Sequence, residues 1–200
     1  AMPFKAYYLQ SCFRYEKAQK GRLREFHQLG IECFGANDPF ADAEVIAVAD
    51  QILKEVGAKK VRLEINSIGC KKCRPAYHAA LKAYFAQYTD KLCPTCLDRL
   101  DRNPMRILDC KSEVCHAIGE GAPVMLDYLC EDCTAHFDTV KGCLDDLGIA
   151  YTVNPTIVRG LDYYNRTVFE FLSGEIGAQS AVLAGGRYDG LAVNLCRIAY

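Results

Sequence analysis

Hydrophobic and polar side chains alternate along two stretches near the start of the chain, and a short polar loop separates them. The first stretch covers residues 7–15 and is rich in aromatic side chains, the loop covers residues 17–24, and the second stretch covers residues 25–34. Successive side chains of a β-strand point to opposite faces of its sheet. The alternation therefore predicts an antiparallel hairpin of two strands around the loop.

This predicted hairpin carries polar residues on one face of each strand. Alternation places Arg14 and Glu16 together on the first strand. It also places Gln28, Gly30 and Glu32 together on the second strand. An ordinary antiparallel sheet with one solvated face would explain the alternation but not this choice of residues. We therefore interpret the polar face as the floor of a binding site.

Helical and strand patterns follow along the rest of the chain. Asp38 and Pro39 predict a helix start, and Gly57 predicts the end of that helix. Apolar residues recur at helical spacing from Phe137 until Gly148 ends a second strong helix. Strands are predicted at residues 61–65, 151–153, 166–171 and 180–184.

The predicted strands lie in two separate blocks, residues 1–68 and residues 149–200. Residues 69–148 between them contain short helical patterns with little apolar surface on each. This arrangement predicts an α+β fold, an antiparallel sheet flanked by helices, with a small helical, cysteine-rich insertion. Half of the 200 residues are apolar, which is enough for a buried core. The insertion needs an additional source of stability.

Four close cysteine pairs lie in the insertion, and they account for eight of the twelve cysteines in the chain. In a chain without secretory features, such pairs are typical of metal ligands before disulfides. A tetrahedral zinc site takes four thiolates, so the pairs predict one or two structural Zn²⁺ sites. The two groups of ligands are Cys93, Cys96, Cys110 and Cys115, and, at the base of the insertion, Cys70, Cys73, Cys130 and Cys133. Free buried cysteines are the alternative, whereas a redox role is disfavoured because no thioredoxin-like βαβ pattern accompanies the pairs.

Charge is distributed unevenly along the insertion, although the whole chain has a formal net charge of −1. Residues 71–111 contain nine basic and four acidic side chains, whereas residues 113–146 contain eight acidic side chains and one lysine. The basic half can offer a nucleic acid a cationic surface, and a set of solvated surface faces is the alternative explanation. No apolar run approaches the roughly 18 residues of a membrane span, and the start lacks a signal-peptide pattern. We therefore expect a soluble cytoplasmic protein with no membrane contact.

Three segments resemble motifs of one enzyme family. Residues 13–16 and 24–28, on either side of the basic loop, resemble motif 2 of class II aminoacyl-tRNA synthetases. Residues 159–170 are similar to the segment peculiar to histidyl-tRNA synthetases, and residues 185–191 resemble the glycine-rich turn that follows it in that family. The segments occur in the order of that family and extend over residues 7–191. The chain thus resembles an internal piece of a histidyl-tRNA synthetase catalytic domain.

The resemblance implies that histidine is activated with ATP to histidyl-adenylate and then transferred to tRNA(His), with ATP acting together with Mg²⁺. Arg14 and Arg159 are the implied catalytic residues, which approach the ATP α-phosphate from two sides and also contact histidine. A guanidinium group suits this role because it donates two parallel charged hydrogen bonds. The in-line displacement also requires that both reactants are held in alignment.

The resemblance also implies which residues bind each substrate. Histidine is expected to contact, besides the two arginines, Gln28, Glu32, Tyr163, Tyr164 and Tyr188. Glu16 is implied to bind the adenine amino group, and Arg22 to reach the ATP phosphates or the acceptor end of tRNA. A pocket of paired polar groups can reject an isostere without ring nitrogens by about 10⁴-fold.

The acceptor stem of tRNA(His) is the implied macromolecular partner, and the basic half of the insertion is expected to lie against it. The full-length protein is expected to be a homodimer. Motif 1, a Thr-x-Glu loop, motif 3 and an anticodon-binding domain are not recognisable in this sequence. We therefore expect the chain alone to bind histidine and ATP poorly and to form little or no histidyl-adenylate in an ATP–pyrophosphate exchange assay.

Two other functions are consistent with parts of the sequence. The regulatory subunit of ATP phosphoribosyltransferase shares the fold and binds histidine as a signal. The intact segment 159–170 argues against it, because a sensor has no need of an arginine at an α-phosphate. A zinc-dependent RNA-binding module would explain the insertion but not the flanking motifs.

Overall fold

The computed structural model describes residues 2–15, 17–18, 23–160, 163–174 and 181–191. The predicted hairpin is confirmed, with strand β1 at Phe4–Phe13 and strand β2 at Glu25–Phe34. The two strands pair antiparallel, with Tyr8 opposite Gly30. They form a two-stranded sheet of their own, so the strands of the first predicted block are divided between two sheets.

Helix α1, Pro39–Glu55, begins where the sequence predicts. The Asp38 side chain accepts a hydrogen bond of 3.3 Å from the backbone N–H of Ala41, which pairs one of the N–H groups that a helix start leaves open. Gly57 follows the helix with a φ of +73°, a left-handed conformation that glycine adopts readily. Strand β3, Val61–Ser67, then leads into the insertion.

The insertion consists of short helices around a small core. Helices α2, α3 and α4 cover Arg74–Phe85, Pro94–Arg102 and Glu113–Glu120. Short 3₁₀ helices lie at Ala86–Tyr88, Pro104–Ile107 and Met125–Tyr128. Buried side chains that include Tyr77, Leu81 and Phe85 form the core, and the eight paired cysteines lie in it or pack against it. The cysteines are therefore part of the structure that the insertion needs for its stability.

Helix α5, Glu131–Asp146, returns the chain to the sheet, which strands β4, β5 and β6 complete at Tyr151–Val153, Asn165–Ser173 and Ala181–Arg187. A second core lies between this sheet and the helices α1 and α5. Its most buried side chains are Ile46, Ala49, Leu63, Ile65, Phe137, Val140, Leu144 and Phe171. Helix α5, which the sequence analysis places at the end of the insertion, packs against the sheet.

The four strands are arranged in the order β4-β3-β5-β6, and the sheet is mainly antiparallel, with β4 added as a parallel edge strand. Strand β5 pairs antiparallel with both β3 and β6, whereas β3 and β4 are parallel. Parallel neighbours need a long connection that returns the chain to the same end of the sheet. The insertion and α5 provide that connection, and the overall architecture is the predicted α+β fold. In the described part of the chain, no helix has the length and apolar character to span a membrane.

Candidate functional site

One face of the hairpin carries residues that were predicted to bind histidine. The ring of Tyr8 lies over Gly30, its partner in the register, and a Cβ at position 30 would collide with that ring. The side-chain amide of Gln28 donates a hydrogen bond of 3.0 Å to the Tyr8 hydroxyl. Gly30 therefore makes room for Tyr8, and Tyr8 in turn orients Gln28.

Glu32, four residues after Gln28 on the same strand, contacts one of three tyrosines that pack together. The hydroxyl of Tyr188, which follows β6, donates a hydrogen bond to Glu32 Oε2. The rings of Tyr163 and Tyr164, which precede β5, lie 4.5 Å apart between centroids. The Tyr188 ring meets them edge-on at centroid distances of 6.0 and 6.3 Å. These four residues, which we name the tyrosine cluster, come from three separate parts of the chain.

Burial changes the ionisation of the tyrosine cluster. It raises the pKa of Tyr163 to about 12. Burial, together with the hydrogen bond to Glu32, raises the pKa of Tyr188 well above its ordinary value. Both hydroxyls therefore stay protonated at neutral pH and can act as donors. Aromatic walls with a carboxylate at one end suit a small planar group that carries N–H donors.

Arg159 lies beside the tyrosine cluster, in the segment between β4 and β5. Its Nη1 donates a hydrogen bond of 2.7 Å to Glu170 Oε1, and its guanidinium carbon lies 5.4 Å from the Tyr164 ring centroid. Burial raises the pKa of Glu170 above the ordinary carboxyl value, although Arg159 acts in the opposite direction. Arg159 Nε is buried and has no hydrogen-bond partner among the described residues. This guanidinium therefore has a donor left for a ligand.

Arg14 lies at the loop end of the hairpin, directly after β1. Its backbone N–H donates to the Arg24 carbonyl at 2.8 Å, and its guanidinium carbon lies 3.8 Å from the Phe26 ring centroid. By strand alternation, Phe26 shares a face with Gln28, so the ring holds Arg14 on the face that was predicted as the binding floor. Arg14 and Arg159 contact different partners, and their convergence on one phosphate stays a prediction.

The structure brings together only some of the predicted site residues among those that it describes. Glu32 contacts Tyr188, Arg159 lies beside Tyr164, and Tyr163 packs against both tyrosines. Gln28 contacts Tyr8, and Arg14 contacts Phe26. Glu16 and Arg22, which were predicted to bind ATP, lie outside the described residues.

Two partners of these residues were not predicted from the sequence. Tyr8 is opposite Gly30 only because of the register of the hairpin, which alternation alone does not determine. Glu170 lies on β5, inside the recognised segment 159–170, whereas Arg159 precedes that strand. The bond between them therefore depends on how the chain enters β5. The sequence contains a signal for Glu170, its place in that segment, and it contains none for Tyr8.

Arg187 positions the turn that carries Tyr188, and it too was not predicted as a site residue. Its side chain is buried, with the residue 8% exposed, and it donates to Asp42 on α1 at 2.8 Å and to Asp189 at 2.8 Å. A further hydrogen bond of 2.7 Å reaches the carbonyl of Ala36, after β2. The end of β6 is thereby tied to α1 and to the hairpin, which fixes the place where Tyr188 leaves the strand.

The eight predicted metal ligands form two separate groups, and in each the sulfur atoms all lie within 4.8 Å of one another. The separations of Cys70 Sγ from Cys73 Sγ and Cys130 Sγ are 3.6 and 3.9 Å. The separation of Cys93 Sγ from Cys110 Sγ is 3.8 Å. A tetrahedron with Zn–S bonds of about 2.3 Å has edges of about 3.8 Å. The groups are the two that spacing predicted, and each can hold one metal ion.

Backbone N–H groups favour the thiolate of one cysteine in each group. Burial disfavours the thiolate of Cys70, yet the N–H groups of Cys73 and Lys72 lower the pKa of Cys70 to about 6. The N–H of Cys96 is the largest influence on Cys93 and lowers its pKa to about 7. Burial raises the pKa of Cys96 itself, so its thiolate needs the charge of a metal ion.

Several curated proteins are similar in sequence to nearly all of this chain, and the match covers only part of their own length. Proteins named histidine–tRNA ligase from Halothermothrix orenii and Desulforamulus reducens are 54% and 51% identical to this chain over 189 residues. Each alignment covers 94% of this chain and 45% of the relative. The chain therefore spans less than half the length of these curated relatives.

Solved structures and a family model agree with this fold. Apo histidyl-tRNA synthetase from S. aureus has a TM-score of 0.75 at 37% identity, covering 98% of this chain and 46% of that one. An ATP phosphoribosyltransferase regulatory subunit/histidyl-tRNA synthetase from Bacillus halodurans has a TM-score of 0.63 at 24% identity, covers 98% of this chain and 54% of that one, and supports the fold alone. The family model for the tRNA synthetase class II core domain (G, H, P, S and T) matches residues 1–196. The chain belongs to this class II tRNA synthetase core-domain family.

Proposed function

We propose that this chain supplies the histidine pocket and part of the α-phosphate site of a histidine–tRNA ligase. The parent enzyme activates histidine with ATP and transfers it to tRNA(His). The tyrosine cluster carries the proposal, because Tyr188 bonds Glu32 and Arg159 lies beside Tyr164 of the same cluster. The names of the close relatives support the same assignment.

In this proposal the tyrosine cluster receives the histidine side chain. The Glu32 carboxylate accepts a hydrogen bond from an imidazole N–H, and the rings of Tyr163 and Tyr164 form the walls of the pocket. Gln28, oriented by Tyr8, binds the amino group. Histidine is then held with its own carboxylate free to react.

Activation forms a bond between a histidine carboxylate oxygen and the α-phosphorus of ATP, and it breaks the bond to pyrophosphate, which leaves with the electron pair. Arg14 and Arg159 offset the negative charge on the α-phosphate oxygens. Glu16 binds the adenine amino group, and Arg22 binds the ATP phosphates or the tRNA acceptor end. Mg²⁺ that accompanies ATP supplies further positive charge.

Replacing Glu32 with glutamine should weaken the binding of a non-hydrolysable histidyl-adenylate analogue. We expect a loss of roughly tenfold to hundredfold, because a hydrogen bond to a charged group contributes about 1.5–3 kcal/mol. Titration of this chain followed by NMR measures the effect, since it detects even millimolar binding. Glu25→Gln is the matched control, because Glu25 starts the same strand but lies on its opposite face. Equal affinities of the two variants would refute the histidine pocket.

The same titration separates the ligase from a regulatory subunit that binds histidine as a signal. A ligase site binds the adenylate analogue far more tightly than histidine, because it is built for the activated intermediate. A regulatory subunit that senses histidine is expected to bind the adenylate analogue and histidine with similar affinity. The pairing of Arg159 with Glu170 beside the pocket favours the ligase, since it holds a cation where the sensor needs none.

We further propose that each cysteine group holds a structural Zn²⁺, because four thiolates in tetrahedral proximity suit that ion. The zinc ions stabilise a unit that we place at residues 69–148, inserted in a catalytic domain formed by residues 1–68 and 149–200. The basic half of the insertion binds the acceptor stem of tRNA(His), and the parent enzyme is a homodimer. This chain spans less than half the length of its relatives, and the activity is proposed for the whole protein.

A further inference from the structure

A narrow cleft of about 210 Å³ lies between the insertion and the segment that carries Arg159. Arg74 of α2, Arg102 of α3 and Arg106 of the next 3₁₀ helix line it on the insertion side. Arg159 lines the opposite side, next to Tyr164. Four guanidinium groups therefore border one small space, and its lining contains no carboxylate among the residues that the structure describes.

Hydrogen bonds to the backbone hold two of these arginines in place. Arg74 donates to the carbonyl of Ile68 at 3.2 Å and to the carbonyl of Tyr164. Arg106 Nη1 donates to the carbonyl of Arg159 at 3.0 Å. These hydrogen bonds join the insertion to the segment of Arg159 and fix the position of the two sides of the cleft relative to each other.

Three arginines of the cleft, Arg102, Arg106 and Arg159, retain donors for an anion. A guanidinium group has five N–H donors, and Arg159 uses Nη1 for its carboxylate partner while its buried Nε has no partner in the described part of the chain. Arg102 has a side chain that is 80% exposed, and its Nε lies 3.5 Å from Asp98 in a loose surface pair. Arg106 Nη2 lies 3.5 Å from Asp109. These long surface pairs do not use all the donors of Arg102 and Arg106, so both can donate hydrogen bonds to an anion in the cleft.

The size of the cleft limits what it can bind. Pockets for whole small molecules begin at roughly 300 Å³, so this cleft suits one group of a larger ligand. Guanidinium groups bind phosphate through paired, charged hydrogen bonds, which makes phosphate the matching group. We propose that the cleft binds a phosphate of a nucleotide ligand between Arg102 and Arg106 of the insertion and Arg159 of the catalytic segment.

The proposal rests on the proposed function for the source of that phosphate, because a ligase of this kind handles both an RNA strand and ATP. The charges favour the RNA, since the surrounding residues 71–111 are predominantly basic. A backbone phosphate near the acceptor end would lie in the cleft and approach Arg159 from the side of the insertion. The two sources are distinguished by using both as probes.

The test compares Arg102→Gln with the unmodified chain, because Arg102 is exposed and its replacement leaves the backbone contacts of Arg74 and Arg106 intact. One probe is a fluorescent RNA hairpin with a single-stranded 3′ extension, followed by anisotropy, and the other is pyrophosphate, followed by NMR. We expect the affinity of Arg102→Gln for the RNA to be lower by roughly threefold or more. We also expect the slope of log affinity against log salt concentration to be smaller in magnitude by about 0.7–1. Arg62→Gln is the control, an exposed arginine with one carboxylate partner at the far end of β3.

Each outcome decides the proposal. Weaker RNA binding in Arg102→Gln, with Arg62→Gln unchanged, supports a phosphate site for the RNA strand. Weaker pyrophosphate binding with unchanged RNA binding supports the same site with the triphosphate as its source. If Arg102→Gln equals the unmodified chain for both probes, the proposal is wrong. Binding of the adenylate analogue is measured in parallel, so that failure of the histidine pocket is seen separately.

Discussion

Replacing Cys96 with serine should remove one zinc ion per chain and unfold most of the insertion. The unmodified protein is expected to hold two zinc ions, one for each cysteine group, and the variant one. Cys96 is buried in the core that also contains Tyr77 and Phe85, so loss of the ion exposes that core. Structural zinc contributes on the order of 10 kcal/mol in small domains, far above the roughly 1 kcal/mol of an average substitution. Elemental analysis and thermal unfolding measure the two effects.

Cys143→Ser is the matched control for this experiment. Cys143 is a half-buried cysteine on α5 that belongs to neither group. This variant should keep both zinc ions and lose little stability. If protein freed of adventitious metal holds well under one zinc per chain, or if the two variants have the same metal content, the cysteines are free core residues and the zinc sites do not exist.

Local patterns were sufficient to predict most individual elements. The hairpin followed from alternation, and α1 followed from the combination of Asp38, Pro39 and Gly57, because caps and turn residues act over a few neighbouring positions. The two cysteine groups also followed from spacing, since close pairs at the starts of helices place two thiols on one side. These features depend on contacts that are local, or that repeat with a simple period.

Contacts between distant parts of the chain were not predictable in the same way. Strand β4 has three residues, too few to indicate its direction, and its parallel pairing with β3 depends on the whole connection through α5. The place of α5 against the sheet likewise depends on which of two cores its apolar face meets. Neither choice is visible in a window of a few residues.

In the candidate site too, residues in recognisable segments were predicted, whereas contacts between distant parts of the chain were not. Glu32, Tyr163, Tyr164 and Tyr188 were predicted because they stand in recognisable segments, and the structure places them together. Tyr8 was missed because its role depends on register. The contacts of Arg187 with Asp42 and with the carbonyl of Ala36 were missed as well, because they join residues 145 and 151 positions apart in the sequence.

Replacing Arg187 with methionine is the second change with a large expected effect, a loss of about 3–5 kcal/mol in the free energy of unfolding. Methionine fills much of the space but leaves Asp42 without its guanidinium partner. Among the side chains that the structure describes, His136 then remains as the partner of Asp42, through Nε2 at 2.6 Å. That nitrogen carries the proton, because Nδ1 faces the guanidinium of Arg166 at 3.2 Å and must accept from it. Denaturant unfolding measures the loss, and Arg62→Met, at an exposed position, should cost little.

The pH dependence of this loss identifies its cause. Burial alone would raise the pKa of Asp189, but hydrogen bonds from Arg187 and Asn165 hold that pKa below its ordinary value. Such a carboxylate stabilises the fold above its unfolded pKa of about 3.9, and this contribution is lost as the pH falls through the lower folded value. The unmodified protein and Arg187→Met should therefore differ most in their free energy of unfolding at neutral pH, and this difference should become smaller below about pH 4. A difference that stays constant down to pH 3 would mean that Arg187 acts through packing rather than through its charge, and Tyr188 would then be positioned without the ion pair.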